Sequence, residues 1–346
     1  MKSSEELLNA NFSDLENDMI LTSKKTFIED KYFLSIDLSG IDLNNKIISN
    51  VNLFSKLRKL YCSNCKLANL DKIPLEAFSN LEILDLSKNS LKSCKIENPS
   101  LKTIILDHNI LEEMTDNLQL NTSNLENFSI KNNKIKKINP AFFQEYKNLR
   151  TLYLYGNELT HLPNDLLKPL TKLEVFNIYG NKLETIEKDV FQGLYHLKVL
   201  YLSKNQLKTL DSRIFTDLIN LERLGLESNQ LTNIPENTFS TLKNLKILTI
   251  ENNNLETLPE KIFNGLTSLE WLYLGKNNFT LLAKNIFKHL STLKRLMLED
   301  NDLKKINSSW FEDKKQLEQI NLSRNIDLKI DRNFFDKLSI NAELKI

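Results

Sequence analysis

Glycine and proline are scarce in this chain, seven of each in 346 residues. The glycines are scattered and form neither a GxGxxG nor a P-loop spacing, so the backbone cradles that hold nucleotide phosphates are excluded. Cysteine occurs three times, at Cys62, Cys65 and Cys94, too few for a disulfide framework. Cys62-x-x-Cys65 has no second CxxC or nearby histidine to complete a zinc site. Charge of one sign is not in surplus either: Lys plus Arg is 46, Asp plus Glu is 45 and the net charge is +1. There is thus no general attraction to nucleic acid or to an anionic membrane. No stretch approaches the roughly 18 consecutive apolar residues of a spanning helix, so direct membrane insertion of this segment is not expected. Residues 1–17 carry Glu5, Glu6, Asp14 and Glu16 and lack the apolar core of a secretory signal. That fits a cytosolic protein, or a mature segment whose leader was replaced by Met1.

What is there is a repeat. From Phe33 onward the pattern LxxLxLxxNxL returns every 24 residues, opening at Phe33, Leu57, Leu81, Leu101, Leu125, Leu149, Leu173, Leu197, Leu221, Leu245, Leu269, Leu293 and Leu317; the step from Leu81 to Leu101 alone is 20. A fixed period of this size is the signature of a solenoid. The fourth and sixth positions alternate with polar residues, the period of a short strand with one buried face. The ninth position is Asn in eleven copies, from Asn89 to Asn325. Its amide has donors and an acceptor for the backbone of its own coil and of the neighbouring one. Ten places later an apolar ring recurs at Phe143, Phe191, Phe215, Phe239, Phe263, Phe287, Phe311 and Phe335, predicting a stacked spine on the far side of each coil. This register makes Cys62, Cys65 and Cys94 core positions; a disulfide or a metal site remains the alternative.

These motifs resemble the "typical" subclass of leucine-rich repeats, as in Asn157-Glu-Leu-Thr-His-Leu-Pro and Asn253-Asn-Leu-Glu-Thr-Leu-Pro-Glu-Lys-Ile-Phe263. The resemblance implies an α/β repeat solenoid: a right-handed horseshoe with a parallel β-sheet on its concave side and irregular or 3-10 segments on its convex side. The organisation expected is an N-terminal helical cap in residues 1–32, thirteen repeats over 33–340 and the start of a truncated fourteenth over 341–346. Ser3 and Glu6 match a capping box, and Leu8, Phe12, Leu15 and Met19 share one helical stripe; a partner-binding helix is the other reading. The copy opening at Leu81 lacks its Phe segment and the next has Gln119 in that place. This is either tolerated degeneracy or a local bend.

No catalytic constellation emerges. His108, His161, His196 and His289 occupy four different repeat positions, so stacking does not converge them, and Asp107-His108 reads as a solvated pair. Neither cofactor nor metal is expected. Positions three, five, seven and eight of each copy project from the strand face, and thirteen strands about 4.8 Å apart offer roughly 60 Å of surface. There Tyr153, Tyr155, Val175, Tyr179, Val199 and Tyr201 form one group beside Gly156 and Gly180, and Ile247, Trp271, Tyr273 and Met297 a second. Aromatic residues anchor protein interfaces, although Tyr and Val also favour strands for their own sake. Glu227, Glu251 and Glu299 add acidity to the later copies, blunted by Arg223, Lys276 and Arg295. The expected partner is a protein or peptide of mixed charge and not nucleic acid, with homodimerisation left open. The resemblance implies a recognition module of the immune or receptor kind, secreted or extracellular. An intracellular adaptor or effector scaffold, cytoplasmic, is the alternative. Six N-x-S/T sequons, at Asn11, Asn121, Asn127, Asn278, Asn307 and Asn321, are about what so Asn-rich a chain supplies by chance.

Overall fold

A computed structural model describes residues 25–30, 33–43, 56–71, 73–330 and 342–346. The chain divides into two compact units, Met1–Glu158 and Leu159–Ile346. The capping helix expected within residues 3–21 and the ring of Phe335 lie outside the described residues.

In the first unit the strands in chain order are β1 (Lys25–Asp30), β2 (Phe33–Asp37), β3 (Leu57–Tyr61), β4 (Ile83–Asp85), β5 (Cys94–Glu97), β6 (Thr103–Ile105), β7 (Glu113–Met114), β8 (Leu118–Asn121), β9 (Asn127–Ser129), β10 (Lys137–Ile138) and β11 (Thr151–Tyr153). The sheet order is β1-β2-β3-β4-β6-β9-β11. β1 runs antiparallel to β2, with an irregularity between Ile28 and Asp30, and every later pairing is parallel. The segment just ahead of the first repeat thus contributes a strand.

The second unit repeats one step without interruption. It holds β12 (Val175–Asn177), β13 (Val199–Tyr201), β14 (Arg223–Gly225), β15 (Ile247–Thr249), β16 (Trp271–Tyr273), β17 (Arg295–Met297), β18 (Gln319–Asn321) and β19 (Glu343–Lys345). Each is parallel to the next, and paired residues differ by 24, as in Val175↔Val199↔Arg223. The middle residue of each three-residue strand turns inward, and Phe176, Leu200, Leu248 and Leu272 are fully buried. Each such side chain contributes on the order of 2 kcal/mol by leaving water. Because the coil returns to the same place every 24 residues, the apolar positions stack into one continuous core.

The Asn ladder holds that return in place. Asn229 Nδ2 donates to Leu226 O at 3.0 Å in its own coil and to Leu202 O at 3.1 Å in the preceding one, while its Oδ1 accepts from Leu207 N at 3.1 Å. Asn133, Asn157, Asn253 and Asn301 make the same set of bonds. The 20-residue copy keeps them too: Asn109 donates to Leu86 O and Leu106 O and accepts from Leu91 N. Groups that a tight bend would strand are thereby satisfied within the core.

The return side carries 3-10 turns at Leu75–Ala77 and Ser308–Phe311. Rings stack along the second unit, Phe191 on Phe215 and Phe215 on Phe239 at 6.2 Å, and Phe263 on Phe287 at 5.9 Å. At the next step the spine changes hands. The Asn307-capped turn brings Trp310 edge-on against Phe287 at 5.4 Å, and the indole N–H donates to Ala283 O at 3.0 Å. The shortened copy departs further. β5 and β8 form a separate two-stranded parallel sheet on the return side, and β7 and β10 a smaller one. The signal for the first pair was present as alternation in Cys94-Lys95-Ile96-Glu97 and Leu118-Gln119-Leu120-Asn121, whose first and third residues are buried. Gln119 stands in a strand there, where the longer copies carry the spine ring.

Candidate recognition surface

Beyond each LxL strand the chain must turn sharply so that the ninth-position Asn can enter the core. It does so through one residue. The eighth position has a positive φ in every copy from Gly40 to Arg324, between 49° and 80°, and non-glycine residues such as Lys88, His108, Lys204 and Asp300 adopt it as well as Gly156 and Gly180. Left-handed backbone costs an L-residue roughly 1–2 kcal/mol, so the ladder imposes a conformation that Lys88, Lys204, Lys276 and Arg324 oppose, whereas Gly and Asn elsewhere in the series accept it more readily. Gly156 has a second reason to lack a side chain: a Cβ there would lie 2.1 Å from Asn132 Oδ1.

In the first unit the strand face gathers around Lys131. Its ammonium lies 5.4 and 5.3 Å from the ring centroids of Tyr153 and Tyr155, both half-buried, and 3.0 Å from Asp107 Oδ2. Burial opposes the charge on Lys131, but the hydrogen bond and proximity of Asp107 outweigh it and hold the ammonium above the usual lysine range. Asp107 is therefore not the solvated side chain expected of an Asp-His pair. It is 7% exposed and also accepts from Ser129 Oγ at 2.6 Å and Lys131 N at 2.9 Å. Its neighbour His108 faces Asn132, Nε2 to Nδ2 3.1 Å.

In the second unit Val175 pairs with Val199, Tyr201 lies between Asn177 and Gly225, and Lys204 Nζ sits 5.2 Å from the Tyr179 ring. Further along, Ile247, Trp271 and Arg295 are aligned, as are Thr249, Tyr273 and Met297. The Arg295 guanidinium lies 4.7 Å from the Trp271 ring centroid, within cation–π range. Ile247, Trp271 and Tyr273 are half-buried, whereas Met297 keeps only 8% of its surface and has little to offer a ligand.

The three glutamates at the seventh position form the electrostatic feature of this unit. Thr249 Oγ1 donates to Glu227 Oε2. Burial first, and then the charges of Glu299 and Glu227, push the Glu251 carboxyl above its usual range. Gly275 occupies the seventh position between Glu251 and Glu299. A Cβ at Gly275 would come within 2.9 Å of the Glu299 carboxyl carbon, so the Glu299 side chain uses the space that the missing side chain leaves. Glu299 Oε2 is buried there without a hydrogen-bond partner. Like charges on successive coils disfavour the ionised form of Glu251, and a positive group from a ligand would relieve that repulsion.

The described residues hold no group of three or more His, Cys, Asp or Glu able to bind a metal. Cys62, Cys65 and Cys94 are free and buried. The Cys65 thiol donates to Leu38 O at 3.1 Å, and its backbone N–H donates to Asn89 Oδ1 at 2.9 Å, so it substitutes for an Asn in the ladder. The Cys65 thiol and full burial push Cys62 up, and burial alone raises Cys94 to about 12. Cys62 and Cys94 are unreactive core thiols as a result, whereas the hydrogen bond with Cys62 holds the Cys65 thiol below its ordinary range against its own burial.

Known proteins fit this geometry. A family model described as "Leucine rich repeat" matches residues 99–159, 123–183, 147–207, 171–231, 219–279 and 269–326. No curated protein matches the chain. Among solved structures, a leucine-rich repeat protein of Leptospira interrogans is 24% identical, covering 100% of this chain and 99% of its own, with a TM-score of 0.63. Toll in the Drosophila Toll–Spätzle complex is 22% identical with a TM-score of 0.71, over 86% of this chain and 46% of that one. The functional domain of InlJ from Listeria monocytogenes is 20% identical with a TM-score of 0.64, over 83% and 58%. This chain spans about half the length of the Toll chain. At these identities the likeness is one of fold.

Proposed function

We propose, on the premise that this chain belongs to the leucine-rich repeat family, that it is a non-catalytic recognition module of the immune or receptor kind whose strand face binds a protein or peptide ligand. The observation that carries this reading is in the second unit. Trp271 and Tyr273 stand half-exposed two residues apart on the same face of one strand, beside Glu251 with its raised carboxyl and Glu299 with its unpaired oxygen. Large rings supply contact area at low entropic cost, and the carboxylates call for a lysine, an arginine or a hydrogen-bond donor from the ligand. A polyanion such as nucleic acid is disfavoured by the same three glutamates. Tyr153 and Tyr155 in the first unit, and Val175, Tyr179, Val199 and Tyr201 in the second, are further contact positions. The "typical" 24-residue subclass suits the spacing of the strands.

The Toll structure is of a glycosylated form, in a complex described as a hub in development and innate immunity; that supports a secreted or extracellular setting for this chain. The intracellular adaptor or effector reading has one observation in its favour, three buried cysteines that form no disulfide among themselves. No helix of the described residues is long and apolar enough to cross a membrane.

The test is ligand capture from the source organism by the native chain and by a Trp271→Ala/Tyr273→Ala variant of equal thermal stability. A ligand whose affinity drops by roughly thirtyfold or more in the variant, the range of an interface hot spot, supports the strand face. Equal capture by both eliminates this patch, and Tyr153→Ala/Tyr155→Ala and Tyr179→Ala/Tyr201→Ala variants then decide between the remaining groups.

A further inference from the structure

We propose a second docking site on the return side of the first unit: the outer edge of β5, which takes an extended, basic segment of a partner protein as a third strand of the β5–β8 sheet. It is independent of the strand-face reading.

The direction of the backbone carries the argument. Cys94 N–H donates to Asn117 O at 3.0 Å, so the polar backbone groups of Cys94 face β8. Backbone direction alternates along a strand, which turns those of Ile96 toward β8 as well and those of Lys95 and Glu97 away from it. No described residue outside the β5–β8 pairing bonds the backbone of Lys95 or Glu97. The far edge of β8 is treated differently: the Tyr146 hydroxyl reaches across and donates to Leu120 O at 2.5 Å. One edge of this sheet receives a side-chain bond, and among the described residues the other receives none.

The outer edge of β5 borders a cleft of about 560 Å³ walled on its far side by residues 69–71 and 73–76. The neighbouring copy forms the 3-10 turn Leu75–Ala77 there, so it supplies no strand to continue the sheet. Asn98 ties the end of β5 to that turn through bonds to Leu75 O and Phe78 O at 2.8 and 2.9 Å, which closes the cleft at that end and leaves its open stretch beside Cys94 and Lys95.

Charge selects the occupant. The described lining bears the carboxylates Asp71, Glu76, Glu97 and Asp116 and a single ammonium, Lys95, already paired with Glu97 at 2.7 Å; Lys72 lies outside the described residues. An added strand that alternates lysine with a β-branched residue meets both demands, hydrogen bonds to the edge and cations to the rim. The four residues of β5 offer about 13 Å of edge.

The probe is a fluorescein-labelled peptide of alternating lysine and valine, about eight residues long, titrated by anisotropy against the whole chain. Lys95→Pro removes an N–H that β8 does not use and blocks edge pairing, while Lys95→Ala keeps it. Binding that falls roughly tenfold or more in Lys95→Pro and changes little in Lys95→Ala, with no binding of a glutamate–valine peptide, is the expected result. Absence of binding to the native chain overturns the proposal. So does equal binding of a peptide N-methylated at alternate amides, which would mean charge attraction without strand addition. A native dimer in sedimentation that Lys95→Pro dissociates also overturns it, in favour of a second copy as occupant. Should Lys95→Pro fail to fold, amide exchange on the native chain decides: slowed exchange at Lys95 and Glu97 on adding the peptide supports the site, and unchanged exchange rejects it.

Discussion

Lys131 Nζ lies 3.0 Å from Asp107 Oδ2, a pair 24 residues apart that one turn of the coil superposes. The carboxylate is almost out of solvent and also receives Ser129 Oγ and Lys131 N. Asp107→Asn keeps one acceptor oxygen but turns an amide donor toward the ammonium or the hydroxyl. The expected cost is about 1–3 kcal/mol, read as a lower urea midpoint. The sign with pH follows from the raised Lys131 value. The pair stabilises fully below the unfolded lysine pKa of about 10.4, and its contribution is lost as pH rises through the higher folded value. That alkaline loss should be smaller in Asp107→Asn; equal alkaline profiles would contradict the assignment.

Glu251 gives the opposite expectation at neutral pH. Its folded carboxyl sits above the usual range because of burial and the charges of Glu299 and Glu227, so its ionised form opposes folding. Stability from the protonated form is complete below the unfolded value of about 4.3 and is lost as pH rises through the folded one. Glu251→Gln should therefore raise the melting temperature at pH 7, with the advantage shrinking toward pH 4. A variant less stable than the native chain at pH 7 would show that Glu251 is held by favourable contacts.

The ladder predicts that Asn229 tolerates neither loss nor charge. Asn229→Ala strands two carbonyls and one buried N–H and should cost about 3 kcal/mol or more. Asn229→Asp, nearly isosteric, places a carboxylate oxygen against Leu202 O and Leu226 O and should be at least as damaging at pH 7. Chemical denaturation of both variants measures this; an Asp variant close to native would mean that the Nδ2 bonds matter little.

At the eighth position the ladder overrides local preference. Lys88 is exposed, with φ 55°. Lys88→Gly should stabilise by roughly 0.5–1 kcal/mol, the relief of left-handed strain exceeding the entropy that glycine adds to the unfolded chain. Lys88→Val should destabilise, since a β-branched side chain fits that region worst. Differential scanning calorimetry of the two variants, with the order Gly above Lys above Val, is the expected outcome.

The strands, the inward leucines, the Asn ladder and most of the Phe spine were legible because each depends on a motif a few residues long and on its translation by a constant step. The return-side strands β5 and β8 were not seen, since alternation over four residues is too short to outweigh the dominant period. The change from Phe311 to Trp310 against Phe287 was hidden because it depends on the capped turn at Asn307. Of the surface residues, the sequence assigned each to its position along a strand. It could not tell that Met297 is nearly covered, nor that Asp107 is drawn into a buried network.

The sequence by itself therefore determined the periodic frame: where each strand falls, which side chains face the core, and that a polar amide closes each turn. Periodicity suffices for this because every coil solves the same packing problem with the same residues. Only the tertiary structure decided how unlike side chains on successive coils meet. Glu299 folds over Gly275, Lys131 locks to Asp107, and Tyr146 bonds the outer edge of β8 while no described residue outside the pair bonds the outer edge of β5. Those outcomes depend on rotamers and on the space left by residues one coil away, and a repeating pattern carries no information about where its own copies differ.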